Sequence, residues 1–349
     1  MPKVTLENLA DYARHVLAQA ESSAAHYPLT RTVGLPHLEL TAHLSAGALA
    51  DAVVHGFVAA PGNGAAANTC RIFVAHPGVD GIAAPASWGQ GPFTEHAFAS
   101  RLAEAGLRGN HFHDLDFWQF YDPDRRLGVQ LMTADDRFPP WEPGAPLRPF
   151  LHWEYAARGM RLAHAGTLGV GGKGILLAGS GGAGKSGTVV AGLLNGLDSV
   201  GDDYVLIDLA GGPTAHPLFA TLKQDPAGFE RLGLEHRLKS YGPLNWQGKH
   251  QFRIDDIAAR PIPARLDIIA LMVPHISGDE ASSIMPVSRK EAMIALAPSG
   301  ISQMPGERES GFRFFSDLTR QLPCYQLSLG THPQEIAGTI SDFIMRSSA

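Results

Sequence analysis

The chain has 349 residues, 44% of them hydrophobic and 18% charged, and a formal net charge of −6. That is material for one large or two ordinary globular domains, and the acidic balance leaves no footprint for nucleic acid as a main partner. Two distant cysteines, Cys70 and Cys324, offer neither a disulfide framework nor metal-ligand spacing and suit a reducing cytosol, and no apolar run reaches membrane-spanning length.

In chain order, Leu6, Leu9, Ala10, Ala13, Val16 and Leu17 recur at helical spacing over residues 5–24, and the charge spread through this start does not read as a signal sequence. Over residues 35–55 and 69–74, short alternating or apolar segments predict strands, with a loop at PGNGAAAN between them. His111, His113, Asp114 and Asp116 are metal-ligand types, but strand alternation puts the histidines and the acids on opposite faces. A surface position or hydrogen-bonded packing is the expected reading. Two more strands flank Asp122-Pro123-Asp124, a turn-forming triplet. The proline-dense stretch 138–146 predicts a linker, which divides the chain into an α+β N-terminal domain at 1–145, expected to recognise substrate, and a second domain at 146–349. A helical pattern over 150–162 opens the second domain.

The following stretch carries the chemistry. After the apolar run Ile175, Leu176, Leu177 and Ala178, the residues Gly179, Gly184, Lys185 and Ser186 complete the pattern G-x-x-x-x-G-K-[ST]. Gly179, Gly181, Gly182, Ala183 and Gly184 form a loop that turns tightly enough to aim backbone N–H groups at phosphate oxygens. A helix beginning at Lys185, Ser186 and Gly187 adds its positive end. In such a loop the lysine reaches the β and γ phosphates and the serine hydroxyl binds the bridging magnesium, so the expected ligands are ATP and Mg2+. Asp202 and Asp203 stand just before the apolar Tyr204, Val205, Leu206 and Ile207, where carboxylates can hold metal, accept a proton, or both.

Beyond a strand at 217–222 come the cations Lys223, Arg231, His236, Arg237 and Lys239. A solvated face is the expected reading, and Lys223 is the most notable because it follows an apolar strand directly. The run 266–274 reads as a buried strand, followed by a strand at 284–287, helices at 289–296 and 309–320, a strand at 325–329 and a helix at 333–344. The expected class is α/β, a P-loop nucleotide-binding domain behind the α+β domain.

The spacing of three elements resembles the HPr kinase/phosphorylase-like family, whose phosphate-loop fold is shared with phosphoenolpyruvate carboxykinases. These elements are His164-Ala165-Gly166, the loop 179–186, and Val200-Gly201-Asp202-Asp203. More loosely, PPWEPGAPLR, EAMIALAPSG and LPCYQLSLGTHP look like segments of HPr-kinase-related ATP-binding proteins, among which are serine kinases that tailor ribosomal and lasso peptides. The resemblance implies a cytoplasmic kinase that transfers the γ-phosphoryl group of ATP to an alcohol, a serine of a peptide or small protein, and allows a homo-oligomer. It implies catalytic roles for Lys185, His164, Asp202 and Asp203, with Asp202 leading as proton acceptor and Asp203 joining Ser186 at the metal. Gly187 stands where the family usually has Thr or Glu, and no HPr-docking segment was identified, so HPr itself is not assigned. A non-catalytic nucleotide-binding module and a carboxykinase-like lyase are the alternatives.

Overall fold

The computed structural model describes residues 3–45, 48–58, 68–77, 81–82, 94–112, 115–132, 138–239, 241–300 and 308–347. It divides into two compact units, Met1–Ala157 and Arg158–Ala349.

In the first unit the chain runs α1 (Leu9–Ser22), β1 (Leu29–Leu35), β2 (Leu38–Leu44), α2 (Ala48–His55), β3 (Thr69–Ala75), α3 (Glu95–Glu104), β4 (Arg108–Phe112), β5 (Phe117–Asp122), β6 (Leu127–Met132) and α4 (Arg148–Ala156). The strands form one six-stranded sheet in the order β1-β2-β3-β6-β5-β4, parallel across β2-β3 and β3-β6 and antiparallel elsewhere. Strand alternation sends Trp118, Phe120, Val129 and Leu131 into a core with Leu9, Ala13, Val16 and Leu17 of α1 and Phe98 of α3. The opposite face receives α4, where Tyr121 meets Phe150 and Trp153 at centroid distances of 6.2 and 6.0 Å. A Cβ at Gly128 would lie 2.7 Å from the Phe150 ring, so only glycine lets this helix approach so closely.

This packing moves the expected boundary. The division falls after α4 rather than at residues 145/146, because Phe150, Trp153 and Tyr155 bury their rings in the first unit and the Tyr155 hydroxyl donates to Pro36 O at 2.8 Å. The helical pattern over 150–162 also stops early, at Ala156. Gly159 turns the chain at φ +80, and 161–163 pair as a strand. Residues 48–55, expected to be extended, are helical, while the Asp122 turn forms as expected, its carboxylate accepting the N–H groups of Asp124 and Arg125 at 3.1 and 3.2 Å. The loop at 61–67, His113 and Asp114 lie outside the described residues.

The second unit contains β7 (Arg161–Ala163), β8 (Gly166–Val170), β9 (Lys173–Leu177), α5 (Lys185–Leu194), β10 (Val205–Asp208), β11 (Thr214–His216), β12 (Thr221–Gln224), α6 (Pro226–Arg231) and β13 (His250–Arg253). It continues through β14 (Leu266–Ile276), β15 (Ser283–Pro286), α7 (Arg289–Gly300), α8 (Arg308–Gln321), β16 (Cys324–Leu329) and α9 (Pro333–Arg346). Eight strands form a mixed sheet centred on β14, which pairs in parallel with β9 and β16 and antiparallel with β11. Its central run 268–274 is apolar and lies between the exposed Asp267 and His275, as a strand covered on both faces in its middle requires. Of the expected strand at 217–222 only Thr221 and Leu222 lie in one, β12, which forms a separate two-stranded ribbon with β13, while β11 of the large sheet ends before it at His216. Among the described residues no helix is long and apolar enough to cross a membrane.

Candidate active site

Strand β9 runs parallel to β14, and its last bond, Ala178 N–H to Met272 O at 3.0 Å, delivers the chain to the glycine-rich turn. Gly182 and Gly184 take φ of +82 and +99, conformations that L side chains rarely adopt. At Gly184 a Cβ would also come within 2.5 Å of Leu329 Cδ1, so backbone conformation and packing both demand glycine there. Helix α5 starts at the next residue, and Lys185 folds back so that Nζ donates to Gly179 O at 2.6 Å and Ser180 O at 3.1 Å. The lysine is buried, which pulls its pKa down, while Asp202 and Asp203 oppose that shift.

The acidic pair reaches this helix end through strand register. Val205 of β10 lies opposite Ala163 of β7 in an antiparallel ladder, which brings His164 beside Tyr204 with ring centroids 5.3 Å apart. His164 Nε2 then sits 2.9 Å from Asp203 Oδ1, although 39 residues separate them in sequence. The second Asp203 oxygen accepts from Lys223 Nζ on β12 at 2.5 Å. Held between these two groups, the Asp203 carboxyl lies far below the ordinary carboxylate range despite burial acting the other way. Asp203 has φ +72 and is spanned by a hydrogen bond from Tyr204 N to Asp202 O at 2.9 Å, an i-to-i+2 closure about a positive φ. Strained backbone of this kind persists where the surroundings over-determine it.

Asp202 has a different setting. It is only 1% exposed, whereas the Asp203 side chain is 23% exposed. Ser186 stands close enough to Asp202 to favour its ionised form, and Asp202 Oδ1 has no hydrogen-bond partner. Burial first, and then the Asp203 charge, push the Asp202 pKa up; Ser186 and Lys185 act against them. Gly166 makes room for this carboxyl, since a Cβ there would lie 3.1 Å from Asp202 Oδ1 and 2.6 Å from Val189 Cγ2.

The structure therefore gathers Lys185, Ser186, Asp202, Asp203 and His164 at one end of α5, with Gly179, Gly181, Gly182, Ala183 and Gly184 in the turn before it. Gly187 lies in the helix's first turn, where the space its Cβ would fill is 3.8 Å from Arg231 Nη2 and 3.9 Å from Gln224 Oε1. Lys223 proves to be the partner of Asp203 rather than a solvated cation; its place directly after an apolar strand was the only sequence signal. Of the two aspartates, Asp202 is the one whose charge Ser186 favours. A hydroxyl and a carboxylate with an oxygen left unpartnered are hard donors of the type magnesium takes, so the residues present fit that ion. His111 is buried in the first unit and its ring meets Phe98 edge-on at 4.5 Å, in keeping with packing.

No protein-family model matches the chain, and no curated protein sequence matches it. Among solved structures it is similar to the Hpr(Ser) kinase/phosphatase from Coxiella burnetii, with 10% identity and a TM-score of 0.27 over 54% of this chain and 95% of that one.

Proposed function

We propose that the second unit binds ATP with magnesium and transfers the γ-phosphoryl group to a serine hydroxyl of a peptide or small protein. The observation that carries this reading is the convergence on the α5 N-terminus of a lysine, a serine–carboxylate pair and a strained carboxylate clamped by His164 and Lys223. Phosphoryl transfer needs little beyond this: donors and cations on the phosphates, metal ligands, and a carboxylate beside the attacking oxygen. The sequence resemblance to HPr kinase/phosphorylase-like proteins supports the same reading.

Backbone N–H groups of the glycine turn and Lys185 hold the phosphates, for which Lys185 exchanges its carbonyl partners Gly179 and Ser180. Ser186 and Asp202 would hold magnesium, which would supply charge neutralisation on the phosphate oxygens. This assignment reverses the order expected from sequence, because Asp202 is the acid whose charge Ser186 favours and Asp203 is the more exposed one. The serine oxygen forms a bond to the γ phosphorus as the bond from that phosphorus to the β–γ bridging oxygen breaks, releasing ADP. The hydroxyl proton passes to Asp203. A carboxylate of such low basicity accepts it late, when bonding to phosphorus has made the hydroxyl acidic, while His164 and Lys223 fix the orientation of the acceptor oxygens.

The test is transfer of labelled γ-phosphate from ATP into an extract of the native host, with Lys185→Ala and Asp203→Asn alongside. Label in a single peptide or protein with the parent chain only is the expected result. ATP binding that Lys185→Ala removes, with no acceptor labelled, would put the non-catalytic nucleotide module in its place.

A further inference from the structure

Next to the α5 N-terminus, the chain between α6 and β13 has an unusual surface. Over residues 231–249 it carries four cations, Arg231, Arg237, Lys239 and Lys249, against one acid, Glu235, giving +3 in a chain whose total is −6. None of the four pairs with a carboxylate among the described residues; Glu235 is taken by His236 at 3.1 Å. The same segment exposes Tyr241, Leu244 and Trp246, each between 45% and 54% accessible. Exposed large apolar side chains among unpaired charges of one sign are characteristic of a binding surface rather than a solvated loop.

This surface is continuous with the site described above. In the β12–β13 ribbon Lys223, the partner of Asp203, stands opposite Gln251, and Gln224 stands opposite His250. The His250 ring packs on Phe229 at 4.2 Å and on Tyr241 at 5.1 Å, which anchors the base of the exposed segment. Arg231 approaches the Gly187 position, and the Lys249 charge is felt at Lys185. A ligand lying over Tyr241, Leu244 and Trp246 thus has a direct route along the ribbon to Asp203.

Resting on the phosphotransferase reading, we infer that Arg231, Arg237, Lys239 and Lys249 together with Tyr241, Leu244 and Trp246 dock the phosphoryl acceptor, and that the acceptor is an acidic peptide with an apolar or aromatic side chain close to its serine. The unpaired cations select the acidic flanks, and Tyr241, Leu244 and Trp246 seat the apolar side chain. Electrostatic selection of this kind rejects basic sequences as well as attracting acidic ones.

The experiment uses the full chain, magnesium, a non-hydrolysable ATP analogue and two labelled heptapeptides, Glu-Asp-Leu-Ser-Trp-Glu-Asp and Lys-Arg-Leu-Ser-Trp-Lys-Arg, with binding read by fluorescence anisotropy. The acidic peptide is expected to bind at least about tenfold more tightly, with the advantage shrinking as salt is raised. The double variant Arg237→Glu/Lys239→Glu should lose about tenfold for the acidic peptide, and Trp246→Ala should weaken it separately, with nucleotide affinity unchanged in both. Equal binding of the two peptides, no binding of either, or indifference to both variants would overturn the inference. Replacing the analogue with ATP separates the two readings. Peptide that docks through these residues but is never phosphorylated leaves the docking surface standing and removes the transferase. Transfer to the acidic peptide that is unchanged in the double variant does the reverse.

Discussion

Both units bury charged and polar side chains, but they arrange them differently. In the first unit several of these groups pair with one another: Gln119 donates to Gln130 at 2.8 Å, the Tyr121 hydroxyl donates to Glu154, and Arg126 reaches the other Glu154 oxygen at 3.6 Å. Glu142, fully enclosed, accepts the Leu147 N–H at 2.8 Å and is pushed up to about 7 by burial. In the second unit the charges converge on one helix end, where they sit beside a strained residue, an unpartnered carboxylate oxygen and partly exposed neighbours. Burial and a shifted pKa occur in both, so neither marks a site by itself. A buried polar atom without a hydrogen-bond partner occurs in both too, Gln119 Oε1 in the first and Asp202 Oδ1 in the second. What distinguishes the second cluster is its place at the start of a helix behind a glycine turn, beside a carboxylate of positive φ.

Substitutions sharpen this contrast. The largest effect is expected for Asp203→Asn, which should lower the transfer rate by about 10²–10⁴-fold in a labelled-phosphate assay while ATP affinity changes little. A loss of less than about tenfold would take Asp203 out of the mechanism. In the first unit the test is pH. A carboxyl whose folded pKa is raised to about 7 contributes stability that is complete below its unfolded value and is lost as pH rises through 7. Glu142→Gln should therefore remove a decline on the order of 3 kcal/mol between about pH 4.5 and pH 8 in urea titrations, keeping the acceptor for Leu147 N–H. Asp203 has the opposite sign. Its depressed pKa contributes stability above the ordinary carboxylate range that is lost on acidification below it. Smaller again is Gly184→Ala, which meets a φ of +99 and Leu329 at 2.5 Å. It should cost about 1–3 kcal/mol of stability and weaken ATP binding in the same variant.

The parts of the site that lie within one contiguous motif were legible in the sequence. The glycine turn, Lys185 and Ser186 sit on a strand–turn–helix as the pattern required, and the Asp pair precedes its strand. His164 was reached through family spacing, and the β7–β10 register explains that spacing physically. Lys223 was not legible as the partner of Asp203, because its position depends on a two-stranded ribbon that branches from the large sheet. The difference between the two aspartates is equally hidden in the sequence: Asp202 is buried, while its neighbour Asp203 is partly exposed and takes a positive φ. The division after α4 was masked by the prolines before it, which break the local backbone pattern but say nothing about where Phe150 and Trp153 pack.

The most direct measurement is calorimetric titration of ATP into the protein with and without magnesium, for the parent chain, Lys185→Ala and Ser186→Ala. The account requires binding in the parent that magnesium strengthens, loss of binding by about tenfold or more in Lys185→Ala, and loss of the magnesium dependence in Ser186→Ala. No binding by the parent chain, or affinity that neither substitution changes, would contradict it.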